Sequence, residues 1–166
     1  MKQAIRVATL LLITFFTAPF AMAQQEQWQW VKQFGSALSD IQNNYDEEII
    51  AMQVDDSGNV YLAGNVWGDV NIDSNTFNHP SLNLSGFVNK FDCAGNLLWH
   101  KRIRSPYDMV LSKASNKLYI AAGRQLISVN HIGDTSIIFE STAAALLNVA
   151  VDDSDNIYAL AAGKVL

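Results

Sequence analysis

Asp55–Gly64 reads DDSGNVYLAG, and Asp152–Gly163 reads DDSDNIYALAAG. Between them Ala114–Gly123 carries a worn copy, ASNKLYIAAG. Each phrase joins a turn of Asp, Ser, Asn and Gly to a short run of strand-forming residues. Asp and Asn hydrogen-bond their own backbone in turns, and Gly58 supplies a positive φ at no steric cost. The phrase therefore reads as a hairpin turn entering a β-strand.

Its tyrosines, Tyr61, Tyr119 and Tyr158, stand 58 and 39 residues apart. A second phrase resolves the inequality. FDCAGNLLW at Phe91–Trp99 is echoed by VNHIGDTSI at Val129–Ile137, with Gly133 in the place of Gly95. From Asp92 to Tyr119 is 27 residues and from Asn130 to Tyr158 is 28, so the excess lies in an insertion at about Asn65–Ser85. A third phrase, WVKQFG at Trp30–Gly35, matches WHKRIR at Trp99–Arg104. A unit near 40 residues with four short strands is the period of a propeller blade.

The reading is an all-β chain forming an incomplete β-propeller of four-stranded antiparallel blades. It places an orphan outer strand at 28–34, a blade at 48–105, a second at 107–141 and half of a third at 144–166. Ser141–Val149 could form a helical turn, but its place before Ala150-Val151-Asp152 makes it the lead into a strand. Gly64 is expected to release the chain at the end of its strand. The last copy ends at Gly163, three residues before Leu166. The expectation is a piece of a longer protein that cannot close on itself and that is completed by further blades or by self-association.

Residues 1–23 read as a secretory signal peptide. Lys2 and Arg6 precede an apolar run at Val7–Phe20, and Ala21-Met22-Ala23 is a small-x-small cleavage site. A spanning helix needs about 20 apolar residues, more than this run supplies, so no membrane span is expected after cleavage. Cleavage leaves nine Lys and Arg against 16 Asp and Glu, a net charge of −7. That balance argues against nucleic acid and anionic lipid as partners. The expected location is secreted, extracellular or at the cell surface, with the periplasm as the other destination. Cys93 is the single cysteine, so no internal disulfide forms.

Taken together, WQWVKQFG, VDDSGNVYLAG and GFVNKFDCAGNLLWHKRI resemble the bacterial seven-bladed beta-propeller repeat, the SBBP repeat. The insertion NVWGDVNIDSNTFN is similar to the same family's loop between second and third strands, through Gly68, Val70 and Ile72. The resemblance covers Trp28–Ile103 strongly and Asp108–Gly163 weakly. It implies a propeller exported from a Gram-negative cell that binds or displays something, with no catalytic residue and no cofactor, since the repeat defines none. Unidentified proteins or glycans are the implied partners.

Asp55, Ser57 and Asn59 offer oxygens at alternating positions, as at the start of a calcium loop. The glycine at the sixth place and the distal Glu of that motif are missing, so the hairpin reading is favoured. His100-Lys101-Arg102-Ile103-Arg104 could hold an anion. On an outermost strand, charges more often guard the edge against pairing. His79, His100 and His131 lack ligand spacing. Trp30 and Trp99 occupy matching repeat positions and are expected to pack between blades. Trp67, in the insertion, is the candidate exposed contact residue for a ligand. The structural repeat positions are Trp30, Asp55, Gly58, Tyr61, Gly64, Gly95, Trp99, Tyr119, Gly123, Gly133, Tyr158 and Gly163. Two alternatives remain: a fragment of a quinone-cofactor (PQQ-type) propeller enzyme, which FDCAGNLLW fits loosely, and a purely structural surface repeat.

Overall fold

The computed structural model describes residues 29–36, 47–78 and 84–162. The expected leader at 1–23, Trp28, His79 and Gly163 lie outside them. The described chain is all-β and antiparallel, with no helix. No described helix is long and apolar enough to cross a membrane.

Two four-stranded sheets carry the fold. The first, sheet B, orders β2 (Glu48–Val54), β3 (Val60–Trp67), β6 (Leu84–Phe91) and β7 (Leu97–Ile103). The second, sheet C, orders β8 (Pro106–Ser112), β9 (Lys117–Ala122), β10 (Gln125–Val129) and β11 (Thr135–Glu140). A two-stranded sheet D follows, from β12 (Leu146–Val151) and β13 (Ile157–Ala161). Ser141–Val149 thus leads into a strand, without a helical turn. A three-stranded sheet A joins β1 (Phe34–Ser36) to the hairpin β4 (Val70–Ile72) and β5 (Asn75–Phe77).

The sheets stack face to face, and their first strands lie side by side, with β8 against β2 and β12. Each interface has its own core. Tyr61, Ala63 and Val88 of sheet B meet Met109, Leu118 and Ile120 of sheet C. Tyr119, Ala121 and Leu126 of sheet C meet Leu146 and Val149 of sheet D. On the far side of sheet B, Leu62, Val66, Phe87 and Phe91 are covered by Val70 and Ile72, with Trp30, Phe34 and Phe77 beside them. Sheets buried on both faces need strands apolar on both faces. This is why VYLAGNVW and KLYIAA lack a clean polar alternation.

Three expectations need correction. Gly64 does not end its strand. It sits within β3, where a Cβ would fall 2.4 Å from the Glu48 carbonyl oxygen and 2.8 Å from Phe87 Cζ. Close packing requires glycine there, whereas Gly123, its counterpart, turns the chain at φ 61°. Trp67 is not on a loop. It closes β3 opposite Leu84 and is half-buried. Nor is the segment before β1 an orphan strand over 28–34. Residues 29–33 are not strand, and Phe34–Ser36 pairs with Ile72–Val70 of the insertion. That pairing follows from the insertion's own hairpin, which brings a free edge to Phe34, and Lys32 secures it with a 2.6 Å ion pair to Asp73.

Candidate functional site

The residues singled out in the sequence converge on the turns and the seams between sheets. Four turns share one construction. At Asp55–Asn59, Asp92–Asn96, Asn130–Asp134 and Asp152–Asn156, the first N–H bonds to the carbonyl four residues on. The first side chain accepts the N–H groups two and four residues on, as Asp55 Oδ1 does from Ser57 and Asn59 at 3.0 and 2.9 Å. Its other oxygen accepts the side-chain amide of the last residue, 2.8 Å away for both Asp55 and Asp92. In the Asn130 turn the polarity reverses: Asn130 Nδ2 donates to Asp134 Oδ2 at 3.1 Å. The same bond is made with donor and acceptor exchanged.

In the acidic turn the Asp55 carboxylate is already surrounded by donors. Asp55 Oδ2 also accepts the Tyr61 hydroxyl at 3.2 Å, and Lys90 Nζ lies 3.8 Å from it. Every donor around the carboxylate is an N–H, an O–H or an ammonium, so a cation would have to displace them. The described residues hold no group of three His, Cys, Asp or Glu placed to bind a metal. Burial raises the Asp55 carboxyl, yet the bonds from Asn59, Ser57 and Tyr61 outweigh it and leave its pKa below 3.8. Asp92 and Asp152 are lowered as well, chiefly by Asn96 and Asn156. Tyr61 is pushed up to about 12 by burial first and then by the charge and hydrogen bond of Asp55.

The tryptophans lock the seams. Trp30 lies over the Gly95 turn and donates Nε1–H to the Cys93 carbonyl at 3.3 Å. Trp99 lies over the Gly133 turn and donates to the His131 carbonyl at 3.1 Å. Donor, acceptor and glycine fall at the same three repeat positions. Both glycines have positive φ, 83° and 90°, and a Cβ would stand 2.9 Å from Trp30 Cγ or 3.0 Å from Trp99 Cδ2. Side-chain bulk and backbone strain therefore exclude other residues at both places.

Lys90 is the residue that sequence reasoning missed at this seam. It is buried, with Nζ 4.8 Å above the Tyr61 ring and 3.5 Å from the His131 carbonyl. Its signal was its place two residues before Asp92, in register with Trp99. The seam to sheet D is built differently. Asp155, at φ 65°, accepts the hydroxyls of Ser112 and Ser115, and Asp108 accepts the Val149 N–H at 3.0 Å. Asn116 and Asp155 take the left-handed turn position that Gly58 fills in the first copy. Asn and Asp are the side chains that best tolerate it.

His100–Ile103 of the basic run lie on β7, the outer edge of sheet B, and Arg104 follows it. Arg102 Nε donates to Ser85 Oγ at 3.0 Å, and His100 stacks on Phe77 at 4.2 Å while sharing a hydrogen bond with Asn89. Beside this edge an open groove of about 570 Å³ runs between sheets B and C, bordered by Arg102, Arg104, Gln125, Thr135, Ser136 and Ile137. Cys93 is exposed beside the Trp30 lock. Comparison with family models and with curated proteins finds no match for this chain.

Proposed function

We propose that the chain is an exported β-propeller repeat module that works by binding or scaffolding rather than by catalysis. The observation that carries the reading is the twice-repeated lock, Trp30 on the Gly95 turn and Trp99 on the Gly133 turn. Trp99 joins sheet B to sheet C, and Trp30 holds the segment before β1 on sheet B by the same contact, which supports radial stacking of blades. The turns that resemble the SBBP phrase are tied up internally by their own donors. That leaves the groove beside Arg102 and Arg104 as the surface for a ligand. Its arginines, hydroxyls and amide over an isoleucine floor suit an acidic glycan or a protein carboxylate.

The test is binding of the purified chain to an array of neutral and acidic glycans, repeated with Arg104→Ala and Trp67→Ala. Binding to acidic glycans that is lost with Arg104→Ala supports the groove. Loss confined to Trp67→Ala moves the site to the insertion. Stoichiometric uptake of pyrroloquinoline quinone with calcium, read by absorbance, would replace the module by the quinone-enzyme reading.

A further inference from the structure

Two exposed apolar faces lie at opposite ends of the sheet stack, and the internal register shows that they are the two halves of one seam. Position by position, Met52 and Val54 pair with Leu62 and Val60 in sheet B. Met109 and Leu111 pair with Ile120 and Leu118 in sheet C. Val149 and Val151 pair with Ala159 and Ile157 in sheet D. In each sheet the second-strand partners are the residues just after and just before the tyrosine, Tyr61, Tyr119 or Tyr158. In sheet C all four pack onto sheet B, and in sheet D Val149, Val151 and Ile157 pack onto sheet C. In sheet B, Leu62 and Val60 belong to the core covered by the β4–β5 hairpin, while Met52 and Val54 point outward, 62% and 52% exposed.

The opposite half of each seam centres on the tyrosine. Tyr61 is 1% exposed beneath sheet C and Tyr119 6% beneath sheet D, while Tyr158 is 58% exposed and Leu160 63%. Tyr158 nevertheless donates to Asp152 at 3.1 Å, as Tyr61 does to Asp55. The tyrosine–aspartate pair of a buried seam is thus built in the open.

The shapes agree as well. The back of sheet B is already covered over β3, β6 and β7 by Trp30, β1 and the β4–β5 hairpin. Among the described residues, the part over β2 is open. Sheet D consists of the two inner strands, β12 and β13. It brings what the open part lacks.

We infer that this chain associates head to tail, the Tyr158–Leu160 face of one copy packing on the Met52–Val54 face of a second copy. The inference rests on the reading of the chain as a stack of repeated sheets. A heterologous contact of this kind yields a ring where the rotation closes and a filament where it does not.

The test is sedimentation of the purified full chain across a range of concentrations, with Met52→Glu and Leu160→Glu made separately. Both side chains are exposed, so both variants keep the fold, checked by far-UV circular dichroism. The wild type is expected to grow in mass with concentration. Each variant alone is expected to be a monomer, and an equal mixture to form a one-to-one dimer, since each variant retains the half that the other has lost. A wild type that stays monomeric overturns the inference. So does association that survives Met52→Glu but not Leu160→Glu, which would mean packing of like faces, and so does association untouched by either change. None of these outcomes bears on glycan or quinone binding, so the failure of one reading is distinguishable from the failure of the other.

Discussion

Replacing Asp55 by alanine measures what the seam adds to a turn that also exists in exposed form. The carboxylate holds the N–H groups of Ser57 and Asn59, the Asn59 amide and the Tyr61 hydroxyl, and it faces Lys90. Ser57 is exposed, and water replaces the lost acceptor there. Tyr61 and Lys90 are 1% and 6% exposed, and water does not reach them as easily. A buried hydroxyl left unpaired costs about 1–3 kcal/mol, and removing one partner of a buried ion pair about 3–5 kcal/mol. The ion pair here is long, at 3.8 Å, and Lys90 keeps the His131 carbonyl and the Tyr61 ring. Both losses also share one carboxylate and do not add. The expected destabilisation by Asp55→Ala is therefore about 3 kcal/mol.

The control is Asp152→Ala, which removes the same turn bonds and the same tyrosine partner from an exposed position. Its loss should be much smaller. Urea unfolding followed by circular dichroism, with slopes that stay unchanged, reads both. Equal losses at the two positions would refute the argument, because they would show that the turn alone, and not its burial under sheet C, gives Asp55 its weight.

Gly133→Ala and Gly123→Ala separate strain from packing. Both glycines have positive φ, but a Cβ at Gly123 meets nothing within 4 Å while one at Gly133 meets Trp99 and Lys101. Gly123→Ala should cost about 1 kcal/mol and Gly133→Ala roughly 1–3 kcal/mol more, read by urea unfolding. Asp92→Asn should destabilise the second turn. Adding Asn96→Asp should restore it by reproducing the polarity of Asn130 and Asp134, so a double variant no better than the single one refutes the exchange. The lowered Asp55, Asp92 and Asp152 contribute stability that is complete above 3.8 and lost as pH falls through their lower folded values. The acid limb should therefore begin below about pH 4. Tyr61 acts in the opposite sense. Its contribution is complete below 10 and lost as pH climbs toward about 12, so Tyr61→Phe should flatten the alkaline limb of a thermal-unfolding profile.

The turns were legible in the sequence because their chemistry is local: an Asp, a positive-φ residue and an Asn within five positions make every bond themselves. β3, β7, β11 and β13 were legible because each follows such a turn. The seams were only half legible. Trp30 and Trp99 could be matched by eye, but their acceptors are backbone carbonyls at Cys93 and His131, which carry no side-chain signal. Lys90 reads in sequence as a polar residue on an alternating strand, and only the neighbouring sheet shows that it is buried. Gly64 and Gly123 look equivalent from their phrases. One is required by a neighbour's bulk and the other by its own φ, a distinction that spacing cannot express.

The insertion follows from the same logic of covered faces. Sheet C has sheet B on one side and sheet D on the other, so its second and third strands are joined by the two-residue turn Gly123-Arg124. Among the described residues, sheet B has a four-stranded neighbour only at its front. Its back, with Leu62, Phe87 and Phe91, is covered by a hairpin spun out between its own second and third strands, with Val70, Ile72 and Phe77 as the cover. The residues that broke the spacing of the repeat are thus those that bury the face sheet C does not reach. Sheet D carries the same two-faced strand chemistry in IYALA, with Ile157 turned toward sheet C and Tyr158 and Leu160 turned away from it. By the rule that holds for β3 and β9, a strand apolar on both sides belongs between two layers. The outer side of β13 is therefore a surface built for a cover, in the same sense as the back of β3.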